Sequence, residues 1–185
     1  MVKYVCMKPI KTIPWEVDER IFSDAYIAGF FDGDGSLVAT LEKQSSKYLR
    51  TYRPRIKINF TQHIRYFEML SEIQEYLGAG KVRAAFAHDQ AELVIVDRND
   101  ISRVLKRMLP HLVLKKQQAI LALEIISQLG QNLRTNRIDE ENYQAILKNI
   151  VKIRSLNSKT GGKRKFSSFD PVTTLRKSEG VAEMQ

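Results

Sequence analysis

The sequence predicts an α+β fold: helices laid on one face of a four-stranded antiparallel sheet, in the order αββαββα, with further helices toward the C-terminal end. Three observations carry this. Apolar residues alternate with polar ones at Leu37, Ala39 and Leu41, at Ile56, Ile58 and Phe60, at Val82, Ala84 and Phe86, and at Leu93 and Ile95, the period of half-buried strands. Between those stretches the apolar spacing lengthens to that of a helix, at Phe67, Leu70, Ile73 and Leu77 and again at Ile101, Val104, Leu105 and Met108. Finally, no unit of about 20 to 50 residues repeats, and 185 residues with 43% hydrophobic content suffice for one compact domain plus tails.

Taken in order, residues 1–20 carry Pro9, Pro14 and Trp15 without a period and are expected to form an N-terminal arm. Ser23 or Asp24 can cap a first helix that runs from Ala25 to Asp32 and stops at Gly33 and Gly35. One stripe of this helix, Ala25, Ala28, Gly29 and Asp32, is small or short. A mid-helix glycine costs about 1 kcal/mol against alanine, so Gly29 suggests close approach, most simply by a second copy of the same helix. Two strands follow, joined by a polar turn near Ser45 to Lys47, with Pro54 near a strand start. A helix from Ile64 ends at Gly78 to Gly80, and a second hairpin turns near His88 to Gln90. Asn99 or Asp100 caps a helix that ends before Pro110. Two more helices are expected, from Leu114 to Leu129 and from Asp139 with an acidic first turn. The compact domain is expected over 21–157, and 158–185 reads as a basic loop or tail.

The charge points to a polyanionic partner. Thirty Lys and Arg against 21 Asp and Glu give a formal +9, and between Glu42 and Arg65 seven cations face one acid. Three of those cations, Arg53, Arg55 and Lys57, alternate outward on one strand. A two-stranded ribbon fits the major groove of B-DNA, where arginine matches guanine and an amide matches adenine. The sheet would then sit as a saddle on double-stranded DNA. Its candidate contacts are Ser36, Thr40, Glu42, Gln44, Arg53, Arg55, Lys57, Asn59, Thr61, Arg83, His88, Gln90 and Glu92, with Lys159, Lys163, Arg164 and Lys165 on phosphates. No apolar run reaches the roughly 20 residues of a spanning helix, and Met1 to Lys11 lacks the apolar core of a secretory signal, so no membrane partner is expected. The single cysteine, Cys6, excludes an internal disulfide and a cysteine zinc site, and His63, His88 and His111 do not fall at ligand spacing.

The stretch Ile27-Ala28-Gly29-Phe30-Phe31-Asp32-Gly33-Asp34-Gly35 resembles, position by position, the motif of the LAGLIDADG homing endonucleases, in the form found in single-motif proteins encoded by mobile introns. The resemblance extends over about 23–157. It implies a homodimer packed through the motif helix, with Ala25, Ala28, Gly29 and Asp32 at the interface and Asp32 mainly structural. It implies a site in which Asp34 and the Gly33 carbonyl bind Mg2+ or Mn2+, with no organic cofactor. Thr61-Gln62 is similar to the family's strand-end pair, whose glutamine orders water, and Lys115 closes a segment, Pro110 to Lys115, similar to the family's PxLxLK, whose basic residue acts near the scissile phosphate. Arg65 is a further candidate cation. The implied activity is double-strand cleavage of a long pseudo-palindromic site, leaving short 3′ overhangs and promoting intron mobility. The protein would work inside the cell with the genome it invades, in an organelle or a prokaryotic cytoplasm. The alternative on the same scaffold is a catalytically silent DNA-binding regulator or an RNA-splicing maturase.

Overall fold

A computed structural model describes residues 22–45, 52–85, 88–130 and 138–157. The elements, in order, are α1 (Asp24–Asp34), β1 (Gly35–Lys43), β2 (Tyr52–His63), a 3-10 turn (Ile64–Tyr66), α2 (Phe67–Leu77), β3 (Lys81–Ala85), β4 (Gln90–Ile95), α3 (Arg98–Met108), α4 (Lys116–Leu129) and α5 (Glu140–Leu156). The four strands form one sheet in the order β1-β2-β4-β3, so both expected hairpins are present and their inner strands pair with each other. The arm, the basic tail and its Lys159, Lys163, Arg164 and Lys165 lie outside the described residues.

The described residues divide into two compact units, one comprising those up to Ser36 with those of Ile58–Val113, the other those of Leu37–Lys57 with those from Leu114 to Asn157. In the first unit, Ser23 Oγ accepts from the Tyr26 N–H and caps α1. The buried side of α1, Ile27, Ala28 and Phe31, packs on β2, with the rings of Phe31 and Phe60 5.3 Å apart. The register pairs Phe60 with Leu93 and Ile58 with Ile95, so these side chains share the core face, while Asn59, Thr61, Val94 and Glu92 share the other. Gly78 ends α2 at φ 59°, the left-handed conformation that glycine adopts freely. Arg103 of α3 donates to the carbonyls of Leu77 and Gly78 at 2.6 and 3.0 Å, tying α3 to that turn.

In the second unit, α4 and α5 lie against one another, burying Ala119, Ala122, Ile125, Ile146, Ile150 and Ile153. Tyr143 Oη donates to the Tyr52 carbonyl at 3.0 Å. Asn157 closes the unit, accepting from Gln118 Nε2 at 2.8 Å and donating to the Leu37 carbonyl at 3.0 Å.

Three local expectations change. Helix α1 continues through Gly33 to Asp34 and passes directly into β1. Neither Gly33 nor Gly35 has a positive φ; a Cβ on Gly35 would collide with the Phe31 ring and lie 2.5 Å from the Phe31 carbonyl oxygen, so close approach requires this glycine, and a turn does not. The cap of α3 is Asp97, whose carboxylate accepts from the N–H groups of Asn99 and Asp100, the two residues expected to cap it. Helix α4 starts at Lys116, and Val113 and Leu114 are exposed in the segment before it.

Candidate functional site

Asp34 is the last residue of α1, where backbone carbonyls lack helical partners and the helix dipole is negative. Its carboxylate is exposed, and Gln62 Nε2 donates to Oδ2 at 2.6 Å. Gln62 faces the core side of β2 beside Phe60, one step from the strand end, and this is what carries its amide to the end of α1. Gly33, one residue before, is exposed with open space around it.

Asp32, two residues earlier, turns elsewhere. Its Oδ2 accepts from the Val113 N–H at 2.7 Å, holding the segment that leads toward Lys115. Lys115 lies in the second unit, half-buried, at the N-terminal cap of α4 with its carbonyl accepting from Ala119. Arg65 is exposed beyond β2, and both its backbone N–H and its Nε–H point to His63 Nδ1, at 3.2 and 3.3 Å. His63 thus caps the 3-10 turn, a role the scattered histidines of the sequence did not suggest.

The small stripe of α1 is not one face. Ala28 is wholly buried inside its own chain, so it cannot belong to an open interface, and Asp32 is occupied with Val113. Ala25 and Gly29 are exposed, and a Cβ on Gly29 would meet nothing within 4 Å; with Gly33 they form an i, i+4, i+8 edge of the helix.

Among the described strands, the basic outer face is less unbalanced in space than along the sequence. In the second unit Glu42 Oε2 accepts from Arg53 Nε at 2.7 Å and Arg55 Nε at 2.8 Å. Those two guanidiniums, Arg55 first and then Arg53, hold the Glu42 carboxyl below its ordinary range. In the first unit Arg83 stands opposite Glu92 and pairs with it at 2.8 Å, and Thr61 stands on the other side of Glu92. Thr40, His88 and Gln90 are exposed, while Ser36, Gln44 and Lys57 are half-buried. Asn59 departs from its expected exposure. It lies on the outer face by register, but on an inner strand its side chain is covered to 7% exposure, and its Oδ1 has no hydrogen-bond partner.

A second polar cluster anchors the far end of α1. Arg107 donates from Nε and Nη2 to Asp24 at 3.0 and 2.7 Å, Tyr76 Oη donates to Asp24 Oδ1 at 2.9 Å, and the Arg107 guanidinium lies 4.7 Å over the Tyr76 ring. The Arg107 hydrogen bonds, aided by Tyr76 and opposed by desolvation, lower the Asp24 carboxyl from its ordinary value, and Arg107 is raised in turn. The sequence offered no signal for this cluster beyond Asp24 as a cap.

Residues 27–121 match the LAGLIDADG endonuclease family. The chain belongs to that family. Within the LAGLIDADG endonucleases it is 34% identical over 105 residues to the DNA endonuclease I-CvuI of Chlorella vulgaris, covering 57% of this chain and 64% of that protein. It is 31% identical over 104 residues to the DNA endonuclease I-CreI of Chlamydomonas reinhardtii, covering 56% and 62%. Both matches therefore span less than two thirds of the relative. The fold superposes on the crystal structure of the homing endonuclease I-CvuI in complex with the I-CreI target in the presence of Mg, with a TM-score of 0.68 and 29% identity over 83% of this chain and 92% of that one. It also superposes on the archaeal intron-encoded homing endonuclease I-Vdi141I complexed with DNA, at 0.67 and 20% identity over 85% and 94%. No described helix is long and apolar enough to cross a membrane.

Proposed function

We propose that this chain is a site-specific homing endonuclease that, as a homodimer with Mg2+, hydrolyses both strands of a long pseudo-palindromic DNA target and leaves short 3′ overhangs. The observation that carries the reading is the 2.6 Å hydrogen bond from Gln62 to Asp34, which holds an exposed carboxylate at the negative end of the motif helix. An exposed acid held in that way is poised for a cation. The endonucleases among its relatives support the same reading, and the I-CvuI complex, whose DNA is not cleaved in the presence of Mg, supports its DNA-binding part.

The residues fit the ion. The Asp34 carboxylate and the Gly33 carbonyl are hard oxygen donors at a helix C-terminus, and among the described residues no three His, Cys, Asp or Glu side chains gather into a closed cage. Mg2+ is commonly held by one or two carboxylates and completed by phosphate oxygens and water. When bound it would supply charge neutralisation at the phosphate and an acidified water. The chain's own groups have separate tasks. Asp34 and Gly33 hold the ion, and Gln62 fixes the Asp34 carboxylate and leaves its amide oxygen to orient a water. Lys115, by its match to the family segment, is the candidate cation for the charge that develops on the phosphate, with Arg65 as a further one. Each chain carries one motif, so the second Asp34 must come from another copy; the open edge of Ala25, Gly29 and Gly33 supports association there.

The test is cleavage of a supercoiled plasmid library carrying randomised inserts. Linear product is expected with Mg2+ and absent with EDTA, and Asp34→Asn should retain DNA binding while losing cleavage by at least about 100-fold, the scale of one lost electrostatic group at a site of charge development. Wild-type cleavage by Asp34→Asn in Mg2+ would overturn the metal assignment.

A further inference from the structure

Each of the three arginines on the described strands, Arg53, Arg55 and Arg83, is paired with a glutamate of the neighbouring strand. If the sheet only attracted phosphate, Glu42 and Glu92 would weaken it. Nor does fold stability explain Glu42, because the Glu42, Arg53 and Arg55 side chains are 49%, 39% and 53% exposed, where ion pairs contribute little.

The geometry of Glu42 is specific. One oxygen, Oε2, receives Arg53 Nε at 2.7 Å, Arg53 Nη2 at 2.6 Å and Arg55 Nε at 2.8 Å. Both guanidiniums are thus held by their inner, Nε edge. The Nη1 group and the second Nη2 hydrogen of Arg53, and both terminal nitrogens of Arg55, remain outside these bonds and can address a base. Two positions along a strand span about 6.8 Å, roughly two base-pair steps of 3.4 Å. Guanine, with O6 and N7 side by side in the major groove, is the base that two terminal arginine nitrogens match.

Resting on the reading of this chain as a DNA endonuclease, we infer that Glu42 is a positioning residue: it locks Arg53 and Arg55 into one reading unit for two guanines about two base pairs apart in each half-site, and restrains binding to other DNA. Locking long, rotamer-rich side chains before binding removes an ordering cost at the moment of recognition. The anionic Glu42, kept ionised by the same two arginines, also cancels charge that would otherwise attract any duplex. Specificity rises on both counts.

The test uses the full chain in Ca2+ buffer, selecting bound duplexes from a randomised library and then titrating a selected and a scrambled duplex over a range of salt. Wild type should enrich two guanines about two base pairs apart per half-site, and Arg53→Ala and Arg55→Ala should each erase one of them. Glu42→Gln should soften both preferences together, lowering the selected-to-scrambled affinity ratio by about tenfold. It should bind scrambled DNA several-fold more tightly, with a salt slope steeper by about 1 and an unchanged melting midpoint. In the Arg53→Ala/Arg55→Ala background the same change should leave base preference untouched. If Glu42→Gln alters a base position that neither arginine variant affects, Glu42 reads a base itself and the inference is wrong. An unchanged affinity ratio and salt slope would overturn it as well, while wild-type enrichment still upheld the site-specific DNA binding on which the endonuclease reading depends. A wild-type protein that enriches no sequence overturns both.

Discussion

Helix α1 presents Asp34 at one end, and the Asp24, Arg107 and Tyr76 cluster fixes the other, about 15 Å away for 11 helical residues. Replacing Asp24 with Asn keeps the shape and one acceptor oxygen but removes the charge that Arg107 contacts through two nitrogens. A fully exposed pair would contribute about 0.2–1 kcal/mol. Here the two side chains are only 30% and 28% exposed and Tyr76 adds a third donor, so charge-assisted hydrogen bonding raises the loss to about 1.5 kcal/mol, and the acid in the first helical turn contributes roughly another 0.3–0.5. Asp24→Asn should therefore destabilise the protein by about 2 kcal/mol at pH 7, lowering Tm by about 4–8 °C for a chain of this size. The pH dependence is set by the direction of the shift. The folded Asp24 carboxyl titrates below its ordinary value, so its stabilisation is complete above the unfolded pKa of about 3.9 and is lost as pH falls through the folded one. Unfolding followed by circular dichroism should give a constant gap between wild type and variant from pH 7 to about pH 5, narrowing below that. A gap under about 0.5 kcal/mol at neutral pH, or one that does not narrow in acid, would refute the reasoning.

Gly35→Ala should cost about 2–3 kcal/mol in urea unfolding because its Cβ meets the Phe31 ring and carbonyl, whereas Gly33→Ala, with open space, should not destabilise; equal costs would show that close packing is not what Gly35 serves. Gly29→Leu should leave the monomer fold intact, since nothing in its own chain lies within 4 Å, yet convert a sedimenting dimer to monomer and abolish cleavage. A wild-type monomer that nonetheless cuts both strands would sink the two-fold reading.

The elements were legible because they rest on local sterics. The alternation through Ile56, Ile58 and Phe60 leaves only one pleat that buries them, and Ser23 and Asp139 cap helices with hydroxyl and carboxylate groups that reach N–H groups three residues on. The helix ends were less legible wherever a distant residue intervened. Leu114 and Leu121 stand two helical turns apart, as one face of a longer α4 would have them, yet the helix begins only at Lys116 and Leu114 is exposed, and the Val113 N–H just before goes to Asp32, 81 positions away.

The sequence by itself determined the fold class, both hairpins, the basic character of the sheet and, through one nine-residue motif, the family; that motif and the separate Thr61-Gln62 match made Asp34 and Gln62 candidates. Tertiary structure alone decided how those residues meet. Small side chains at Ala25, Ala28 and Gly29 fit either a core or an interface, and only the packing of α1 on β2 sends Ala28 inward while Ala25 and Gly29 face out. Asn59 looked exposed because strand period assigns a face but not the depth of cover over an inner strand. The pairing of Glu42 with two arginines, of Gln62 with Asp34 and of Arg107 with Asp24 joins residues 11 to 83 positions apart. Residue type and local spacing give each group its charge and its face, but a hydrogen bond also needs its partner within about 3 Å, and over such separations only the folded chain sets that distance.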